Sequence, residues 1–271
     1  MIILDGPMGT ELHARGVDTS LPLWSARALV HAPHVIAEIH RDYADAGATV
    51  HTTNTFRTRP RTLGDAWAKH AANAVAIARE SVPSTHRVAG CIAPIEDCYR
   101  PDLSPGDRAE RAHRELARVL AEAGANLLLC ETFPHVGEAV AAVGAAVGTG
   151  VETWCALTAG PDAALMTPEE FAEGAMQVVD AGAKAVFINC TAATLALPYL
   201  DAIASLDVAK GVYANAGTAD DEIGWTASPE PGAERYAALA QQWRDAGATL
   251  IGGCCGTTPA HIASLVEAFA E

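Results

Sequence analysis

The sequence predicts an α/β fold, a single (β/α)8 TIM barrel spanning residues 1–271, and three observations carry that prediction. An Ala-Gly-Ala stop at a helix end recurs four times, at Gly47, Gly124, Gly182 and Gly247, each time followed by an apolar run the length of a buried parallel strand. The four glycines lie 77, 58 and 65 residues apart. That is about twice the 30 or so residues of one strand-plus-helix unit. One further strand candidate stands before the first repeat and one in each gap, which brings the count to eight.

In chain order the strands are Ile2 to Asp5, the end of Tyr43–Asn54, Arg87 to Ala93, the end of Leu120–Glu131, Glu152 to Thr158, the end of Val179–Cys190, Gly211 to Asn215, and the end of Trp243–Cys254. Helices fill the gaps. Ala109 to Ala123 has apolar residues near helical spacing, and Pro168 to Ala181 opens on Thr167 as N-cap with Glu170 three residues on, a capping box. An open doubly wound sheet shares this local grammar, and the count of eight favours closure.

Half of the residues are hydrophobic and 19% are charged, ample for one large core. The formal charge of -15 repels phosphate backbones and anionic lipid, so neither nucleic acid nor a membrane is an expected partner. The apolar opening Met1–Leu4 is too short for a signal peptide and no run approaches a membrane span, so a cytoplasmic protein is expected. Seven cysteines, set inside apolar runs, argue against a disulfide scaffold.

In such a barrel the chemistry gathers at the C-terminal ends of the strands. There the sequence reads Asp5-Gly6, Thr53-Asn54, Ala93-Pro94, Glu131-Thr132, Thr158, Asn189-Cys190, Asn215 and Gly253-Cys254-Cys255. Cys190, Cys254 and Cys255 converge over one mouth, and three thiolates suit a catalytic zinc that keeps its fourth position open. Two other readings of the same segment stand beside that one. The adjacent pair can close a vicinal disulfide, and Gly252–Pro259 can cradle a phosphate at a helix start. Asp5 and Glu131 end apolar strands and need a cationic partner, either a substrate ammonium or a structural arginine.

Cys91, Cys130 and Cys155 read as strand filler and Cys98 as an inert loop residue. His31, His34 and His40 precede the second strand and read as lying on the outer helix side, away from the mouth.

The segments Asp5-Gly6-Pro7-Met8-Gly9-Thr10-Glu11-Leu12, Thr53-Asn54-Thr55-Phe56, Glu131-Thr132-Phe133, Asn189-Cys190 and Gly252 to Pro259 together resemble the homocysteine S-methyltransferase family over nearly the whole chain. The resemblance implies Zn2+ held by Cys190, Cys254 and Cys255, with homocysteine sulfur in the fourth position. It implies that Asp5 and Glu131 hold the ammonium of homocysteine, and that Gly6, Thr53, Asn54 and Phe56 line the same pocket. Pro22 to Arg27 looks like the stand-alone members that take a methyl group from S-methylmethionine or S-adenosylmethionine, so a small sulfonium donor is expected. One stretch departs from those relatives: Arg57-Thr58-Arg59-Pro60-Arg61-Thr62 is a basic loop where they carry aromatic and small residues. Its three arginines either meet an acidic group on the donor or form a solvated loop. The rival readings are a betaine-type or methyl-corrinoid donor, a metal-free phosphate-binding lyase or isomerase, and a zinc protein without turnover.

Overall fold

The computed structural model describes residues 1–225 and 229–270. Eight strands form one parallel sheet: β1 (Ile2–Ile3), β2 (Val50–Thr52), β3 (Arg87–Ile92), β4 (Leu127–Phe133), β5 (Thr153–Leu157), β6 (Ala185–Ala192), β7 (Ala209–Asn215) and β8 (Leu250–Gly253). Each strand pairs with its sequence neighbour from β2 through β8, and β8 pairs with β1. A parallel bridge from Leu4 to Val50 joins β1 to β2 and brings the ring round on itself. Helices follow the strands, among them Pro33–Asp45, Trp67–Ser81, Glu110–Glu122, Val136–Val147, Pro168–Asp180, Pro229–Asp245 and Pro259–Phe269. The fold is the (β/α)8 barrel that the repeat predicts.

The period of two along each strand builds two cores. Leu4, Val50, Leu127, Leu129, Trp154, Phe187, Tyr213 and Leu250 fill the barrel, while Ile3, Leu128, Cys130, Val186, Ile188 and Val212 face the helices. Phe187 packs against Trp154 and Tyr213, with ring centroids 5.6 Å and 5.4 Å away. The barrel has no room for a side chain at Gly211, where an added Cβ would stand 2.3 Å from the Phe187 ring. The four repeat glycines have φ between 96° and 111°, the left-handed stop that their position after a helix predicts.

Most strand ends fall within one or two residues of the sequence expectation, and two strands run past their expected ends. β4 runs past Glu131 to Phe133, and β6 runs past Cys190 to Ala192. In both cases the register with the next strand shifts across the added residues, between Cys130 and Phe133 and between Asn189 and Ala192. These are β-bulges. At each one a non-glycine residue takes a left-handed backbone, Thr132 at φ 62° and Cys190 at φ 50°. The predicted capping box is present: Thr167 Oγ1 accepts from Glu170 N–H at 3.2 Å, and Glu170 Oε2 accepts from Thr167 N–H at 2.8 Å.

Candidate active site at the strand C-termini

A cavity of about 290 Å3 opens over the C-terminal ends of the strands. Its walls include Asp5, Gly6, Thr53, Asn54, Phe56, Glu131, Cys190, Cys254 and Cys255, so the residues that the family resemblance assigns to the site border one space, whereas the strand-end residues Ala93, Pro94, Thr158, Asn189 and Asn215 do not line it.

The three thiols come from two elements. Cys190 sits on the β6 bulge, which turns its side chain from the strand line into the cavity. Its backbone is tied down: Asn215 Nδ2 donates to Cys190 O at 3.0 Å. Asn189 Nδ2 donates to Thr132 Oγ1 at 2.8 Å, and that hydroxyl lies 3.7 Å from Cys190 Sγ, so the two bulges brace each other. Cys254 and Cys255 follow β8 and are pinned by Cys254 N–H to Ala214 O at 3.0 Å and Thr257 Oγ1 to Cys254 O at 2.8 Å. Gly253 must be glycine here, since an added Cβ would meet Thr257 Oγ1 at 2.2 Å.

No two of the seven cysteines are joined in the structure. The Sγ atoms of Cys190, Cys254 and Cys255 lie within 4.8 Å of one another. A tetrahedral metal with bonds of about 2.3 Å holds its sulfur ligands roughly 3.8 Å apart, so the set has the right size for one ion. Its electrostatics ask for a cation. Hydrogen bonding among the sulfurs together with burial pushes the Cys254 thiol well above its ordinary value, while donation from Cys190 and Cys254 holds Cys255 well below. One negative charge is stabilised at the expense of the other two, and a divalent cation lets all three ionise.

The carboxylates carry no arginine among the described residues. Asp5 Oδ2 accepts from Thr52 N–H at 2.8 Å, and burial nevertheless raises the Asp5 carboxyl well above its usual range. Burial pushes Glu131 up to about 7 against the lowering effect of hydrogen bonds from Cys91 and Tyr213, the latter at 3.3 Å. Both acids therefore face the cavity without a counter-charge. The structural-arginine reading is corrected.

On the β2 side, Thr53 Oγ1 accepts from Cys91 N–H at 3.0 Å and pairs with Thr55 Oγ1 at 2.9 Å, so its hydroxyl locks the turn. Asn54 Nδ2 donates to Ser25 O at 2.9 Å, leaving Asn54 Oδ1 buried without a protein partner. Phe56 meets Trp24 edge to face, centroids 5.5 Å apart.

Two sequence readings need correction, those of Cys98 and of the basic loop, and the reading of His40 gains a partner. Cys98 lines the cavity and is buried, with burial raising its thiol to about 12. His40 lies on the helix-facing side, as expected, and does not border the cavity; its ring is buried there and lies with His51 within 4.8 Å of an Asp5 oxygen. Of the three loop arginines only Arg57 borders the cavity. Arg59 donates to Ile95 O and Phe56 O, and Arg61 donates to Glu96 Oε1 at 2.7 Å and Ile95 O at 2.8 Å, so both serve to fasten the loop.

Sequence reasoning missed Trp24, Tyr99 and Tyr213. Tyr213 was within reach, because it stands two residues before Asn215 and so shares its face of β7. Trp24 opens the single-turn 3-10 helix Trp24–Ala26 and Tyr99 lies in a turn, both too short for periodicity to mark the inward side.

Fold and cavity together define a (β/α)8-barrel enzyme with a thiol-lined pocket at its strand C-termini. The chain belongs to the homocysteine S-methyltransferase family, whose model matches residues 2–269. It is 34% identical to the homocysteine S-methyltransferase of Escherichia coli strain K12, an alignment that covers 98% of this chain and 94% of that one. Identity to the homocysteine S-methyltransferase YbgG of Bacillus subtilis strain 168 is 31%, over 97% of this chain and 92% of that one. The crystal structure of the Escherichia coli homocysteine methyltransferase MmuM in its metallated form superposes with a TM-score of 0.82 at 31% identity, covering 98% of this chain and 95% of that one. The protein is an S-methyltransferase acting on homocysteine.

Proposed function

We propose that the enzyme moves a methyl group from a small sulfonium donor, S-methylmethionine or S-adenosylmethionine, to the thiol of homocysteine, with Zn2+ held by Cys190, Cys254 and Cys255. The observation that carries this reading is the three-thiol cluster on the wall of the same cavity as two unpaired buried acids. The metallated form described for MmuM supports a metal in this family, and the all-sulfur donor set favours zinc over harder cations. Bound zinc supplies Lewis acidity, which lets a thiol in its open position lose its proton near neutral pH.

The chain's own residues do the remaining work. Asp5, oriented by Thr52 N–H, and Glu131, oriented by the Tyr213 hydroxyl, take the ammonium of homocysteine, and Asn54 Oδ1 is a third acceptor. An added Cβ at Gly6 would stand 2.5 Å from the Tyr43 hydroxyl, so this glycine keeps the backbone beside Asp5 close-packed along the cavity wall. Trp24, Phe56 and Tyr99 supply aromatic surface for the onium group and exclude water. In the transfer the acceptor sulfur forms the new S–C bond with a lone pair. The donor S–C bond breaks with its electrons returning to the donor sulfur, which leaves neutral. Alignment of the two sulfurs with the methyl carbon is what the cavity contributes.

Methionine formation from homocysteine, assayed with S-methylmethionine, S-adenosylmethionine, glycine betaine and a methyl-corrinoid in parallel, tests the proposal. Turnover with a sulfonium donor that Cys190→Ser abolishes is the expected result. Turnover with betaine or corrinoid alone would overturn the donor, and full activity and full zinc in Cys190→Ser would overturn the metal assignment.

A further inference from the structure

Arg57 is the single cationic side chain among the residues that line the cavity. Its neighbours in the basic loop are engaged, Arg59 and Arg61 on the Ile95–Glu96 segment, whereas the Arg57 side chain makes no hydrogen bond or ion pair among the described residues. Its Nε is buried and unpartnered. An unpaired donor of this kind is unfavourable unless a ligand completes it. The guanidinium carbon stands 5.8 Å from the Phe56 ring centroid, beside the aromatic pair that Phe56 makes with Trp24. Contact with the ring face uses the charge of the guanidinium and leaves its N–H fork free, and that fork matches a carboxylate. Of the acids that await an ammonium, Asp5 follows β1 and Glu131 stands on β4, where it accepts from the Tyr213 hydroxyl at 3.3 Å, whereas Arg57 lies in the turn after β2. A molecule whose onium head lies on the aromatic surface thus has a cation within reach of its other end.

We propose that Arg57 is the carboxylate anchor of the cavity and that it serves the methyl donor, which restricts the donor to onium compounds carrying a carboxylate. The inference rests on the methyl-transfer reading of the site. It assigns the departure of this loop from its relatives to donor selection, and it assigns that role to Arg57 alone.

Calorimetric titration of the zinc-loaded protein with S-methylmethionine and with its decarboxylated analogue, (3-aminopropyl)dimethylsulfonium, tests this without requiring turnover. The wild-type protein binds the carboxylate form at least roughly tenfold more tightly, the scale of one charge-assisted hydrogen-bonded pair. Arg57→Ala removes that preference and leaves homocysteine affinity unchanged. Arg57→Lys, which keeps the charge and loses the fork, falls between the two. Equal wild-type affinity for the two donors would overturn the proposal, and that comparison needs no variant. An Arg57→Ala protein that loses homocysteine binding while keeping donor binding would also overturn it, handing the residue to the acceptor's carboxylate. The predicted binding pattern with no methionine formed would support the anchor and refute the methyl-transfer reading instead.

Discussion

Glu131 sets the pH window in which the acceptor is held. Burial brings its carboxyl to about 7, so below that value it is protonated and offers no charge to an ammonium. The expected outcome is that kcat/KM for homocysteine rises as pH climbs through about 7. Glu131→Gln raises KM for homocysteine roughly ten- to a hundredfold and flattens that limb, because a charged hydrogen-bonded contact is lost. An unchanged KM in the variant would remove Glu131 from the ammonium site. At this scale the cavity was legible at those strand ends where barrel geometry carries Asp5, Thr53, Glu131, Cys190 and Cys254 to one mouth, while Ala93, Thr158 and Asn215 end strands without lining it. It was illegible for Cys98 and Arg57, whose loops have no register to say which way a side chain turns. Nor does sequence separation reveal that Asp5 and His40 meet.

Among the elements, the loop after β3 is held over the cavity by one buried acid. Glu138, on the helix Val136–Val147, accepts from Ile95 N–H at 2.7 Å and from the Ser104 hydroxyl, and it pairs with His113 Nε2 at 3.2 Å. Burial alone would raise its carboxyl, and these bonds outweigh burial and hold it below the usual range. Glu138→Ala strands those partners, so a loss of about 3 kcal/mol in chemical denaturation is expected, together with weaker donor binding as Tyr99 loses its support. Tyr236 plays a similar part between β7 and β8, donating to Gly252 O at 2.7 Å and accepting from Ala214 N–H at 3.1 Å. Tyr236→Phe is expected to lower stability by about 1–3 kcal/mol and to reduce zinc retention, since Cys254 comes directly after β8. The capping box of Pro168–Asp180 and the four left-handed glycines were readable because they are local backbone requirements. The bulges at Thr132 and Cys190 were not, because an extra residue in a strand leaves no mark on an apolar run.

For the whole molecule, the repeat counted the strands correctly because each unit buries one apolar strand behind one helix stop, a constraint written in composition as well as in order. Closure followed from number, and the Leu4–Val50 bridge completes it. Global stability carries a pH signature from the helix-facing side of the ring. His40 and His51 are buried and held neutral by desolvation, at about 4 and about 3. Their folded values lie below the unfolded one, so their contribution is complete above about 6.5 and is lost as pH falls toward the folded values. Between pH 6.5 and 5 the loss is about 2 kcal/mol per histidine. Thermal melts of the wild type and His40→Leu at pH 7 and 5 should show a smaller acid shift in the variant; equal shifts would contradict the buried neutral ring. Metal binding acts on the same scale, because an ion taken up by the folded chain stabilises it by mass action.

Elemental analysis of zinc per chain, on protein purified under reducing conditions and compared with Cys254→Ser, tests the central claim most directly. The account predicts about one zinc per wild-type chain and loss of that zinc in the variant. Fresh, reduced wild-type protein that takes up no zinc even when zinc is supplied would contradict it.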